Sequence, residues 1–214
     1  MLQLEPVVLQ DRLLGCILAG AVGDASTSAF EGSVDRDWPG PDPWRLTDDT
    51  QLTLATCESI VAGCKDPESI AAELLRCYRS RRLRGVGAST LKALRDLDAG
   101  AHWALAGRKG EYAAGNGAAM RIAPLALVTD GCGLSSRQLI RDVCRITHHS
   151  EEAYVGGLAV VLAVRQGLSQ GTVIKLDSLV EHLPDSVVRD RLLSLAVCGE
   201  ELGIKGAAAK VGCT

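Results

Sequence analysis

Aromatic residues are scarce in this chain of 214 residues, at 3%, although 47% of it is hydrophobic. The core must therefore be filled by Leu, Val, Ile and Ala, which suits closely packed helices. A dominant charge is lacking as well. With a net charge of −3 and a pI near 5.8, the chain offers no electrostatic footprint for nucleic acid or for an anionic membrane surface. The one basic cluster, RCYRSRRLR at 76–84, has the spacing of a solvated helix end. Eight cysteines are present, yet no C-x-x-C pair occurs among Cys16, Cys57, Cys64, Cys77, Cys132, Cys144, Cys198 and Cys213. That scatter excludes a zinc ribbon or a disulfide framework and fits small buried hydrophobes in a reducing compartment. The most apolar segment, 153–164, is too short to span a bilayer and holds Gly156 and Gly157. The start of the chain lacks a basic region followed by an apolar run and a cleavage site. A soluble, cytoplasmic protein with no membrane partner is expected.

Helical periodicity is what the sequence does contain. Residues 7–25 put Leu9, Leu13, Leu14, Ile17, Leu18 and Ala21 on one broad face. A loop with three prolines follows over 31–44, and further helices are predicted from about 48 to 62, from Asp66 and Pro67 onward, and from Ser89. Residues 118–128 have a helical pattern that Pro124 would kink or start. Helices are also expected in 135–150, after a capping Ser150, and in 185–202. Strand-like alternation does not compete with these, so one all-α domain over residues 1–214 is predicted, with 153–164 as a helix buried on all sides.

Four short stretches carry candidate chemistry, each with a plainer structural explanation beside it. In GAVGDASTSAFEG (20–32), Gly20 and Gly23 precede Asp24 and Glu31, which suits either close helix packing or a ligand at the backbone. In LTDDTQLT (46–53), Thr47 with Asp48 and Asp49 makes a helix cap with acids in the first turn, and equally the hard oxygen set that Mg²⁺ selects. GNGAAMR (115–121) reads as an ordinary turn or as a Gly-rich mouth offering N–H groups to a diphosphate. ITHHSEEA (146–153) sets His148 and His149 at a helix junction, as a helix end or as ligand contacts.

Taken in order, G-D followed by Glu seven residues on, T-D-D-T-Q, G-N-G-x-x-M-R, and T-H before an Ala/Gly-rich helix resemble the ADP-ribosylglycohydrolase family. The resemblance covers nearly the whole chain, from about Leu13 onward. It implies a compact multi-helix bundle whose cleft holds ADP-ribose and usually two Mg²⁺ ions. It also implies a hydrolase that cleaves the glycosidic bond between ADP-ribose and an acceptor on a protein or related conjugate. On this resemblance Thr47, Asp48 and Asp49 are metal ligands, and Glu31, Asp48 and Asp49 serve catalysis. Asn116, Gly117 and Met120 line the ADP-ribose pocket, and His148 contacts the ligand. The chemistry is consistent: an oxocarbenium-like transition state needs an activated water, and a metal-bound water is one.

One position and one missing motif depart from the family pattern. Thr27 stands where a glycine usually follows the G-D motif, and no second motif of the form G-D-x-D-T follows Thr147. The expectation is a C-terminally truncated family member with an incomplete Mg²⁺ shell, exposed apolar surface and a tendency to self-associate. The alternatives are a non-catalytic ADP-ribose-binding remnant and a helical scaffold without a ligand.

Overall fold

In a computed structural model of the protein, the described residues are 4–28, 44–171, 174–198 and 206. Glu31 and most of the Pro/Gly-rich stretch around it lie outside them, as do nearly all positions after 198. Eight α-helices are found among the described residues: α1 (Pro6–Thr27), α2 (Asp48–Val61), α3 (Pro67–Arg79), α4 (Ala88–Asp98), α5 (Leu134–Arg145), α6 (Glu151–Gln170), α7 (Leu176–Val180) and α8 (Val187–Cys198). One pair of two-residue parallel strands, β1 (Arg108–Lys109) and β2 (His148–His149), is the only departure from an all-α fold among them.

Local chemistry sets the helix boundaries. Asp66 caps α3 by accepting the Ser69 N–H at 2.9 Å, with Pro67 in the first turn where its missing N–H costs nothing. Thr47 caps α2. Ser150 occupies the cap position of α6 without a side-chain bond, and α6 ends at Gly171 in the left-handed conformation (φ +65°).

Helix α6 is the centre of the packing. None of its side chains from Glu152 to Leu168 is fully exposed, as expected for a helix surrounded on all sides. It contacts α1, α5, α7 and α8. Gly157 permits a close approach to α5, since a methyl group there would lie 2.7 Å from the Cys144 sulfur. The core is aliphatic, with Leu52, Ile70, Leu94, Ile122, Ile140 and Leu158 all fully buried. Each contributes roughly 1.5–3 kcal/mol relative to an exposed side chain.

Two expectations need correction. Residues 118–128 do not form an α-helix but two short 3₁₀ turns, Ala119–Arg121 and Ala123–Leu127. Pro124 supplies no N–H, and its ring opposes an α turn before it. The broad apolar face predicted for α1 is also only half covered. Leu9, Leu13, Ile17 and Ala21 are half-buried, whereas Leu14, Leu18 and Val22, one turn apart, are exposed. By length and hydropathy α1 is also the one described helix sufficient to cross a membrane. It is tied to the helical body by Arg12 Nη1, which donates to the Leu168 carbonyl at 2.6 Å, and by Asp24 at its other end.

Candidate active site

The site begins where α1 ends. Asp24 accepts four hydrogen bonds from the start of α2: the Thr47 N–H at 2.9 Å, the Thr47 hydroxyl at 2.6 Å, the Thr50 N–H at 3.3 Å and the Thr50 hydroxyl at 2.6 Å. Burial alone would raise the pKa of this carboxyl. The bonds from Thr47 and Thr50 outweigh that and hold it below the ordinary carboxylate range. One carboxylate thus satisfies backbone donors that the helix leaves open and fixes the mouth of α2 against α1.

The same mouth aims the acidic pair. The Asp48 N–H donates to the Arg84 carbonyl at 2.7 Å, and the Arg84 N–H donates to Gln51 Oε1 at 2.9 Å, so the loop after α3 folds back over α2. Gly85 in that loop has φ +78°, and a methyl group there would stand 3.5 Å from Asp48 Oδ1. Asp48 is buried and Asp49 half-buried.

A cavity of about 180 Å³ brings Asp48 and Asp49 together with Asn116, Gly117, Met120 and His148. Six of the residues marked in the sequence therefore meet around one space. Thr90 and Ser89 from α4 complete the wall, and nothing in their local sequence signals this. A second cavity, of about 330 Å³, lies between α1 and α2 and is lined by Asp24, Thr27, Thr50 and Thr53. Asp49 and Met120 border both. Thr27, the departure from the family pattern, turns its hydroxyl onto the Gly23 carbonyl at 2.7 Å. Thr47 does not line the smaller cavity, because its hydroxyl donates to Asp24 and accepts weakly from the Asp49 N–H at 3.4 Å.

The turn carrying Asn116 and Gly117 needs glycine for space, not for a positive φ as a turn dipeptide would suggest. A methyl group at Gly117 would lie 2.7 Å from His148 Cε1 and 2.8 Å from the Thr90 hydroxyl. Thr53 ties α2 to this turn, its hydroxyl lying within bonding distance of the Met120 carbonyl at 3.0 Å and the Asp49 carbonyl at 2.7 Å. The three-residue 3₁₀ turn that follows is too short to act as a helix N-terminus toward an anion.

The two histidines part company. His149 donates from Nε2 to the Ala106 carbonyl at 2.7 Å and is structural. His148 is buried in β2 with Nδ1 2.8 Å from the Thr147 hydroxyl, and burial, with the Arg121 charge, pushes its pKa down to about 4. Pairing with β1 holds this strand in place, and Gly107 makes the approach possible: at φ +85°, its backbone sits so close that a methyl group would be 2.6 Å from the Thr147 carbonyl oxygen.

As a cation site the arrangement is all oxygen. Asp48, Asp49 and the neighbouring Thr47 hydroxyl match what Mg²⁺ accepts, since that ion commonly takes one or two carboxylates and fills its octahedron with water and ligand oxygens. Among the described residues no three His, Cys, Asp or Glu side chains converge on one point.

The chain is similar in sequence and in fold to known proteins. The model of the family described as ADP-ribosylglycohydrolase matches residues 5–210. ADP-ribosyl-[dinitrogen reductase] glycohydrolase of Rhodospirillum rubrum is 31% identical over 157 residues, covering 66% of this chain and 52% of that protein. ADP-ribosylhydrolase ARH3 of Danio rerio is 27% identical over 210 residues, covering 84% and 55%. A solved structure described as an ADP-ribosylglycohydrolase-related protein complex superposes with a TM-score of 0.66 at 29% identity, covering 86% of this chain and 67% of that one. The chain spans about half the length of the curated relatives it matches.

Proposed function

The chain belongs to the ADP-ribosylglycohydrolase family, and we propose that it binds ADP-ribose conjugates and hydrolyses the glycosidic bond joining ADP-ribose to an acceptor on a protein. The observation that carries this reading is the meeting of Asp48, Asp49, Asn116, Gly117, Met120 and His148 around one cavity. At about 180 Å³ that cavity takes one end of a nucleotide sugar, and the adjoining 330 Å³ space brings the pair into the range of sites for larger ligands.

In this reading Asp48 and Asp49, with Thr47 beside them, hold Mg²⁺. When bound, the ion supplies a Lewis acid and a water of lowered pKa. The chain's own residues do the rest. Asp24 fixes the α2 mouth so that two adjacent carboxylates serve one space, although neighbouring helix positions point about 100° apart. Gly117, having no side chain, lets His148 and Thr90 pack against its turn, which holds the imidazole at the cavity wall where the ligand would lie. His148, buried and neutral at pH 7, offers a hydrogen bond and not a charge. Glu31 is assigned by resemblance to assist at the ribose or the water.

A second reading, a binding module without catalysis, is favoured by the finding that no group of three or more His, Cys, Asp or Glu side chains that could hold a metal ion occurs among the described residues. One experiment separates the two: release of free ADP-ribose from arginine- and serine-modified proteins, with Mg²⁺ or EDTA, by the wild-type chain and by Asp48→Asn. Metal-dependent release that the substitution abolishes supports hydrolysis. Tight ADP-ribose binding without release, indifferent to EDTA, supports the binding module.

A further inference from the structure

Arg121 is the largest fully buried side chain among the described residues, and no carboxylate there pairs with it. Its Nε and Nη1 have no hydrogen-bond partner among the described residues. The remaining nitrogen is held firmly: Nη2 donates to the Val143 carbonyl at 3.1 Å and to the Thr147 hydroxyl at 2.9 Å. Thr147 is itself sealed from solvent, and its hydroxyl reaches His148 Nδ1 at 2.8 Å.

Proton counting gives this chain a direction. A guanidinium only donates, so the Thr147 oxygen accepts from Arg121. The hydroxyl proton then has one acceptor within reach among the described residues, His148 Nδ1. If Nδ1 accepts, the ring hydrogen of the neutral imidazole sits on Nε2. That nitrogen faces the glycine turn, since a methyl group at Gly117 would lie 3.2 Å from it and one at Gly115 would lie 3.5 Å away. No described residue bonds to it, and the ring lines the cavity.

We propose that Arg121 and Thr147 are positioning residues acting through His148: together they lock its imidazole as the Nε2–H tautomer, a fixed donor for an acceptor oxygen of ADP-ribose in the cavity. The inference rests on the ADP-ribose reading of the site. Burial beside the guanidinium also opposes ring protonation, which keeps the donor uncharged and its partner nitrogen free to accept.

The test uses the full chain. Long-range ¹⁵N–¹H correlation spectra at pH 7, without ligand, report the His148 tautomer, and calorimetric titration reports ADP-ribose affinity for wild type, Thr147→Ser and Thr147→Val. Wild type is expected to show the neutral Nε2–H pattern. Thr147→Ser should keep that pattern with affinity within about threefold, whereas Thr147→Val should give mixed tautomers and roughly tenfold weaker binding, the worth of one hydrogen bond. A Thr147 that merely packs would leave the tautomer unchanged in Thr147→Val. An Nδ1–H or doubly protonated ring in wild type, or unchanged binding by Thr147→Val, overturns the proposal. Should wild type not bind ADP-ribose, the ligand reading of the cavity falls, and with it the proposed role of the donor. The tautomer in the free protein would still show whether the relay itself is correct.

Discussion

At Gly117 the two atoms nearest to an added methyl group, His148 Cε1 and the Thr90 hydroxyl, belong to buried side chains that have little room to retreat. Gly117→Ala is therefore expected to lower stability by about 1–3 kcal/mol in urea unfolding, the usual cost of overpacking. It should also weaken ADP-ribose binding, because the ring that must yield is the one lining the cavity. Equal affinity of the variant and wild type would show that the ligand does not touch this turn. The residue scale is also where the sequence was most ambiguous. Thr47, Asp48 and Asp49 were legible as a cap or as a ligand set; the cap is observed, since Thr47 caps α2, while Asp48 and Asp49 face the cavity in which the proposed ion would sit. Asp24 stood out within its motif, but its four bonds to Thr47 and Thr50 were not legible, because they join helix ends 23 and 26 residues apart. Arg121 was visible only as the last letter of a motif.

Among the elements, those built by local rules were the readable ones. Asp66 with Pro67 announces α3, and the unbroken apolar run of α6 announces a surrounded helix. Periodicity failed where backbone chemistry overrode it, as at Pro124, and where burial depends on neighbours, as on α1, whose Leu14 and Leu18 have the same local pattern as the half-buried Leu13 and Ile17. The β1–β2 pair was invisible for a third reason: two-residue strands have no period, and this pair joins positions 40 residues apart. That pair nonetheless sets the height of His148 in the site. Gly107→Ala tests its importance. The residue has φ +85°, and its methyl group would meet the Thr147 backbone at 2.6 Å, an atom that cannot rotate away. A loss of about 2–4 kcal/mol is expected from strain and clash together. The variant should also lose ADP-ribose affinity, although position 107 does not line the smaller cavity. A loss of stability with intact binding would uncouple the strand pair from the site.

For the molecule as a whole, the buried imidazole couples the site to folding. In the folded chain the pKa of His148 is about 4, against an ordinary value of 6.5, because burial and the Arg121 charge both disfavour the imidazolium. Between those two values the unfolded chain binds the proton and the folded chain does not, so stability falls as pH falls. The contribution is fully present above about pH 6.5, is lost progressively toward pH 4, and changes no further below that. Over the whole window it amounts to about 3 kcal/mol, from the usual conversion of a pKa difference into free energy. Carboxylates titrate in the lower half of the same window, so the wild-type curve alone does not isolate the effect. The difference between wild type and His148→Gln does, because the amide has no proton to gain. Urea unfolding of both proteins from pH 7.5 to pH 4.5 should show wild type losing stability faster than the variant, with the gap opening below pH 6.5. Parallel curves would mean that the folded chain admits a charged ring at position 148, and that the Arg121 guanidinium does not oppose one as its burial and proximity require.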